Sequence, residues 1–227
     1  RRTRVEKEAK ANDRDVAAKA KVLGPVLERL EVALSDARPA RLVELSEEDE
    51  RAAADLQLIT RKPVLYVCNT GEDGEDGAGE LIAAVREQAE AEGAGVVSIS
   101  AQLESEIAAL ETLQERKEFL AEAGLAESGL DRLIRETYHL LGLRTFFTAG
   151  PKECRAWTFR AGQTAPQCAG VIHSDFERGF IRAEAYHCQA LFDLGSEQAV
   201  RAAGKLRSEG RDYLVEDGDV LFFKFNV

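Results

Sequence analysis

The sequence predicts an α/β layer followed by a small, separate α+β domain, and three observations carry that prediction. Two short apolar runs, PVLYVCN (63–69) and VVSISA (96–101), lie between helical stretches and each ends at a polar or small residue. That is the pattern of strands buried on both faces of a parallel sheet. Helical composition prevails up to about residue 141. From Leu143 the texture changes to short β-branched and aromatic runs, RTFFTA, CRAWTFR, GFIRAEAY and DYLVEDGDVLFFKFNV, as a second domain with its own mixed sheet requires.

Taken in order, residues 1–10 are rich in Ala, Glu, Lys and Arg and read as a short helix meeting a turn at KANDRD. Asn12 can cap the next helix, with Asp15 three residues on. Leu23, Leu27, Leu30 and Leu34 place a narrow apolar stripe on that second helix. Gly24-Pro25 inside it predicts a kink or a restart. Two charged helices at a tight turn suggest an antiparallel hairpin that projects more than it packs. SDARPARLVEL is a connector, and Ser46 with Asp49 opens a further helix whose apolar positions are Leu56 and Ile59. After the first strand a helix is expected over about 80–92, with Leu81, Ile82 and Val85 inward. Helices over about 103–123 and 128–141 follow the second strand. In the last part, Asp217-Gly218 reads as a tight turn, residues 198–208 as helical, and HSDFERGF as a loop leading into a strand.

Composition narrows the function classes. At 227 residues, 44% hydrophobic and 31% charged, the chain reads as soluble and globular. No run reaches the roughly 18 apolar residues of a membrane span. The positive start RRTRVEKEAK has no apolar core behind it, so no export signal is expected and the cytoplasm is the expected location. The absence of Met, with Arg at position one, suits a fragment or a processed chain. Cysteines 68, 154, 168 and 188 and histidines 139, 173 and 187 form no disulfide or zinc framework, and mostly buried, reduced thiols are expected. His187 and Cys188 would project to opposite faces of a strand.

The net charge of −11 is uneven. Residues 1–31 hold nine Lys/Arg against six Asp/Glu, residues 32–143 ten against 24, and residues 144–227 eleven against eleven. An acidic middle repels bare nucleic acid, so DNA is not an expected partner.

NTGEDGEDGAGE, from Asn69 to Glu80, is the informative loop. Its four glycines and five carboxylates do not make a phosphate loop: GxxxxGK[ST] occurs nowhere, and no Lys or Arg lies between residues 63 and 85. Asp73, Glu75 and Gly77 miss the calcium-loop register, so no metal site is expected. What remains is Asn69-Thr70-Gly71-Glu72 at the carboxyl end of a strand, the edge where open α/β sheets bind ligands. An amide and a carboxylate three apart can address a purine edge; equally, they fit a strand-capping Asn beside a solvated Glu. Ser100-Ala101 ends the second strand and would share that rim if the two strands are neighbours.

KPVLYVCNTGEDG resembles the KP-apolar-N-x-x-E-D-G segment of the YchF family, the Obg-like ATPases. AGPKECRAWTFRAGQTAPQCAGVIHSDFERGFIRAEAY and GKLRSEGRDYLVEDGDVLFFKFNV are similar to that family's C-terminal TGS domain, and the resemblance runs through the whole chain. It implies the C-terminal part of a Ras-like P-loop NTPase domain (44–143), the second part of an inserted antiparallel helical hairpin (1–43), and a β-grasp TGS domain of α+β type (144–227). The family's base-binding motifs map onto Asn69, Thr70 and Glu72, and onto Ser100 and Ala101. Where guanine-specific relatives have N-K-x-D, this chain has Thr70 and the longer Glu72. A carboxylate one methylene too long meets the paired donors of guanine badly, so ATP is expected over GTP. The resemblance also implies Mg2+ in the intact protein, the ribosome as partner, and rRNA as a possible contact. No catalytic residue is assigned in this chain, because phosphate loop, magnesium ligands and switches have no counterpart here; Asp76 to Gly79 matches D-x-x-G only by letters. The chain alone is therefore expected to hydrolyse nothing.

In the last domain, His173, Asp175 and Glu177 lack a nucleophile paired by any recognisable motif. Arg155, Arg160, Arg178 and Arg182, with Trp157, mix cations and an aromatic as RNA-contacting sheets do, although a Trp in a strand-like run is more often a core residue. Two function classes follow. One is a ribosome-associated ATPase; the other is a non-enzymatic RNA or protein interaction module built on the hairpin and the last domain.

Overall fold

A computed structural model describes residues 1–71, 78–150 and 153–226. The chain divides into two compact units, Arg1–Glu136 and Thr137–Val227.

The first unit opens with α1 (Arg2–Glu8) lying beside α2 (Arg14–Ser35). The Arg2 guanidinium donates to Glu31 at 2.7 Å and to Glu28 at 3.1 Å, and Val5 is buried between the two helices' turns. The cap of α2 is Asp13 rather than Asn12: its carboxylate accepts from the backbone of Asp15 and Val16. The helix runs unbroken across Gly24-Pro25. Its buried stripe is Ala20, Val26, Leu30 and Ala33, while Leu34 is exposed. Leu30 and Val26 pack with Ala40, Ala53 and the flanking Leu45, Leu56 and Leu58. The second half of α2 is thus part of a core instead of projecting, because the connector after it folds back as a 3-10 turn (Ala40–Leu42) and α3 (Glu47–Ala54). Ser46 and Asp49 form the expected reciprocal cap of α3, and Arg29 reaches Asp49 at 2.6 Å. Ile59, expected on an apolar helix face, lies beyond the end of α3 and is exposed.

Strand β1 (Leu65–Asn69) pairs in parallel with β2 (Gly95–Ile99), Asn69 opposite Ile99. Between them comes α4 (Gly79–Glu92), and after them α5 (Ala101–Ala109), α6 (Leu113–Glu122) and α7 (Gly129–Leu140). The expected long helix over 103–123 is two helices, because the Thr112 and Glu115 side chains build a new cap at that point. β1 is not buried on both faces: Val67 is 46% exposed, and β2 is the one strand paired with β1 among the described residues. On α4, Ile82 and Ala89 face inward but Leu81 is exposed. Arg41 bonds Glu92, which also accepts from the Tyr66 hydroxyl at 3.1 Å, tying the connector to α4 and β1.

The second unit is a five-stranded mixed sheet of β3 (Leu143–Ala149), β4 (Cys154–Arg160), β5 (Phe180–His187), β6 (Arg207–Glu209) and β7 (Asp219–Phe225), in the order β4-β3-β7-β5-β6. β3 and β7 are parallel neighbours, and the other pairings are antiparallel. α8 (Ala165–Ile172) covers one face over a core that includes Phe146, Phe159, Cys168, Phe180, Leu221 and Phe223. Residues 174–178, expected as loop, form the short helix α9 (Ser174–Arg178), capped by the His173 ring, which accepts from Asp175 N–H at 3.1 Å. α10 (Cys188–Leu194) and α11 (Glu197–Ala202) lie against part of the opposite face, around Tyr186, Val200 and Val220. β6 replaces the end of the helix expected over 198–208. The turn at Asp217-Gly218 is as expected: Gly218 has φ +83°, and a Cβ there would meet the His187 ring at 2.8 Å, so only Gly fits. The fully buried Asp219 carboxylate accepts from Tyr213 hydroxyl at 2.7 Å and from Glu216 N–H at 3.0 Å, with Arg207 at 3.4 Å. Burial and that bond push the Tyr213 phenol above its ordinary range.

Candidate functional site

The parallel register of β1 and β2 brings Asn69 and Ser100-Ala101 to one rim, at the carboxyl ends of both strands. The contact between them is specific. Asn69 is exposed, and its side-chain oxygen accepts from Ala101 N–H at 3.0 Å. Ala101 is the first residue of α5, so that N–H is one a helix leaves without an internal partner. The Asn69 amide thus acts as a cap, as the alternative reading from sequence had it, and what it caps is the helix that follows the neighbouring strand. With the Asn69 oxygen committed, the groups its amide has left to offer are its N–H donors. Both purines present an N7 acceptor, so Asn69 suits a purine without choosing between adenine and guanine.

Thr70 continues the link. Its N–H donates to Ile99 carbonyl at 2.8 Å, and its hydroxyl donates to the same oxygen at 3.2 Å. The Thr side chain is spent on fixing the chain's exit from β1. A Lys at that position could instead lay its stem along a base. Ser100 is buried, and its hydroxyl caps α5 by accepting from Leu103 N–H at 3.4 Å. It shapes the rim rather than lining it. Glu72, together with Asp73, Glu75, Asp76 and Gly77, lies outside the described residues. The sequence did not reveal that α5 begins at Ala101; its one signal was Ser100 standing ahead of a helical stretch. Glu104, likewise missed, accepts from Gly129 N–H at 2.6 Å and holds α7 against this corner.

The four arginines do not assemble. Arg155 lies over the Trp157 ring at 4.2 Å on the α8 side of β4, with Glu153 at 3.9 Å. Arg160 stands at the end of the same edge strand and, by strand alternation, on the opposite face. Arg178 pairs with Asp175 on α9, and that partner holds the carboxyl below its usual range. Arg182 on β5 donates to Ser208 hydroxyl at 3.0 Å and sits 3.2 Å from Glu184. Trp157 is half-buried and packs on the core, its N–H donating to Thr148 hydroxyl at 2.9 Å. His173 is used as a cap, which leaves the His173–Asp175–Glu177 trio without a catalytic geometry.

The thiols are all free, but only Cys168 is buried; Cys154 is exposed, which corrects the expectation of mostly buried cysteines. Burial pushes the Cys168 thiol up to about 12. His187 ends β5 and Cys188 begins α10, their ring nitrogen and sulfur 4.0 Å apart, so the pair spans a strand–helix junction rather than one strand. No group of three or more His, Cys, Asp or Glu suited to a metal occurs among the described residues. No helix among them is long and apolar enough to cross a membrane.

Residues 143–226 match the family model YchF-GTPase_C, described as "Protein of unknown function (DUF933)". The chain is 48% identical over 227 residues to "Ribosome-binding ATPase YchF" of Bacillus subtilis, covering 99% of this chain and 61% of that protein. It is 47% identical over 224 residues to the protein of the same name in Escherichia coli O157:H7, covering 99% and 60%. The structure of the Schizosaccharomyces pombe YchF GTPase superposes with a TM-score of 0.80 at 31% identity, over 98% of this chain and 62% of that one. The chain spans about three-fifths of the length of the curated relatives it matches.

Proposed function

This chain belongs to the YchF family, and on that premise we propose that it supplies the base-binding wall of a cytoplasmic ATPase that associates with the ribosome. One observation carries the reading: the Asn69 side-chain oxygen accepts the Ala101 N–H. That bond joins Asn69-Thr70 and Ser100-Ala101 at the carboxyl edge of the sheet, where open α/β folds bind nucleotides. Asn69 recognises the purine, Thr70 fixes the strand exit, and Glu72 disfavours guanine. In this reading residues 1–43 are part of an inserted hairpin, and 144–227 a β-grasp TGS domain.

Mg2+ serves the phosphates in the intact protein. In this reading the part of the present chain is to bind and orient the base. This division of labour implies that residues 1–227 alone hydrolyse nothing, since phosphoryl transfer depends on positioning phosphates and metal.

The test is an ATP titration of the intact protein. Asn69→Ala is expected to weaken ATP and GTP alike by about tenfold, the order expected when a charge-free recognition hydrogen bond and its ordering role are both lost. Glu72→Asp is expected to shift preference toward GTP. Unchanged affinity in Asn69→Ala overturns the base-wall reading and leaves the interaction-module reading in its place.

A further inference from the structure

The second unit carries a hollow that the base-wall reading does not use. It measures about 630 Å³ and lies between β4, the end of α8, and α9. The rings of Trp157, His173 and Phe176 line it, with Glu153 and Asp175 beside them. One cation already sits there: the Arg155 guanidinium lies over the Trp157 ring, 4.2 Å from the centroid. That ring is held in place. It stacks with Phe146, centroids 6.5 Å apart, and its N–H donates to Thr148 hydroxyl at 2.9 Å.

Arg155 is held more loosely than the ring beneath it. Its side chain is 58% exposed, and its acid partner Glu153, 68% exposed, stands at 3.9 Å. Exposed pairs of that length contribute little. Asp175, by contrast, is engaged by Arg178 and, at 3.5 Å, by the His173 ring. With Arg155 turned out to solvent, the hollow presents a fixed aromatic face beside one carboxylate, Glu153, which has lost its cation. That combination suits one positive charge. The adjoining backbone indicates what delivers it. β4 is an edge of the sheet, paired in unbroken register with β3 from Cys154 to Arg160. No proline or bulge blunts it, so its outer side is open to a further strand. At Arg160 the outer groups are taken, because its N–H donates to the Gln163 side chain at 2.7 Å and its carbonyl accepts from Gln163 N–H at 3.1 Å. By strand alternation Cys154, Ala156 and Thr158 carry the other outward-facing groups. Every second side chain of an added strand would point to the face that holds the hollow.

We propose that this corner binds an extended, arginine-containing peptide of a partner protein. The peptide main chain adds to the outer edge of β4, and its arginine replaces Arg155 on Trp157, beside Glu153. Arg155 is then a built-in competitor that holds the place while no peptide is bound. A planar guanidinium suits the ring better than an ammonium, because it stacks flat on an aromatic face and is more weakly hydrated. An acidic peptide would meet Glu153 and find no free cation once Arg155 is paired. The proposal rests on neither the base wall nor the ribosome reading.

The experiment titrates the full chain against a labelled nonapeptide of alternating threonine and valine with one arginine at its centre. Anisotropy reads binding, and Trp157, the sole tryptophan of the chain, reports on the ring by its own emission. Saturable binding with a change in that emission is expected. Citrulline in place of the arginine keeps the shape and removes the charge. It should weaken binding about 2- to 30-fold, the span of one cation–π contact. Arginine amide alone, which cannot add a strand, should bind more weakly than the peptide. Arg155→Ala should tighten peptide binding about 2- to 10-fold, because removing a competitor restores the binding-competent fraction. Glu153→Gln should weaken it about 2- to 5-fold, the worth of an exposed ion pair. Trp157→Leu should weaken it as much as citrulline does. If that variant does not fold, Arg155→Ala and Glu153→Gln decide, since both positions are exposed. No binding, equal binding of the citrulline peptide or of arginine amide, or weaker binding by Arg155→Ala overturns the proposal. So does a concentration-dependent dimer that the peptide cannot displace, which would give the edge of β4 to a second copy of the chain.

Discussion

The Arg1–Glu136 unit is mainly helical and the Thr137–Val227 unit is built on a sheet, and they close very differently. In the Thr137–Val227 unit five strands enclose a core in which Phe146, Cys168 and Leu221 are no more than 1% exposed. Among the described residues of the Arg1–Glu136 unit the sheet has two strands, and of their residues only Val97 is buried. Its main apolar cluster lies elsewhere, between α2, α3 and the connector. A parallel pair is a fragment of a layer, since three or more strands or covering helices are what make a sheet stable by itself. A small sheet with its own hydrophobic face is a finished object; the rim at Asn69 and Ala101 is geometrically precise on a layer that is not.

The largest expected effect tests whether the units are energetically distinct. Phe146→Ala empties a fully buried ring position that touches Trp157, Phe159 and Phe223, at a cost of about 3–5 kcal/mol. Leu30→Ala, in the cluster of the first unit, should cost about 2–4 kcal/mol, because its surroundings are smaller and can collapse further. Scanning calorimetry should show two transitions, each substitution moving only its own. If either substitution moves both, the units unfold together and the contrast is wrong.

The contrast also explains which parts of the fold could be read from sequence. The aromatic runs after Leu143 became strands, because alternation and a core of their own decide their structure locally. The tight turn at Asp217-Gly218 and the cap at Ser46-Asp49 were legible for the same reason. PVLYVCN was read as doubly buried because five of its seven residues are apolar, but burial needs neighbours, and β1 has one among the described residues. The continuity of α2 through Pro25 and the offset of its buried stripe to Val26 and Leu30 are tertiary outcomes, set by where the connector folds back. At the candidate site, the identities of Asn69 and Ser100-Ala101 were legible, while the bond that unites them depended on strand register.

Opposite pH limits sharpen the comparison at intermediate size. In the first unit Asp49 is held low by Arg29, Glu92 by Gln88 with Tyr66 and Arg41, Glu115 by the Thr112 cap, and Glu127 by Arg135. A carboxyl lowered in the folded state stabilises it above the unfolded value, about 4, and that contribution is lost as pH falls. In the second unit burial raises the Cys168 thiol, up to about 12, and the Tyr186 and Tyr213 phenols. Acids raised in the folded state stabilise it below their unfolded values, about 8.5 and 10, and that contribution is lost as pH rises. Asp175 in the second unit and Tyr66 in the first are single exceptions to the pattern. Calorimetry below pH 4 should therefore lower the first unit's transition more, and above pH 9 the second's. Cys168→Ala should flatten the alkaline limb, and the reverse order of sensitivity would refute this account.

The smallest effect, and the most local, is thiol accessibility. Cys154 lies exposed on the edge strand β4, Cys68 and Cys188 are half-buried, and Cys168 is fully buried in the α8 core. Labelling with a thiol reagent at neutral pH should consume Cys154 first. Cys168 is protected twice: by burial from the reagent, and by a thiol pushed to about 12, so that little thiolate forms. Its labelling should follow global opening of the second unit. Cys68 is a probe of the two-stranded layer, and local opening there costs less than global unfolding. Low urea should accelerate Cys68 before it affects Cys168. Should the two cysteines instead accelerate in parallel, the β1–β2 layer would be as well secured as the closed sheet, despite its two strands.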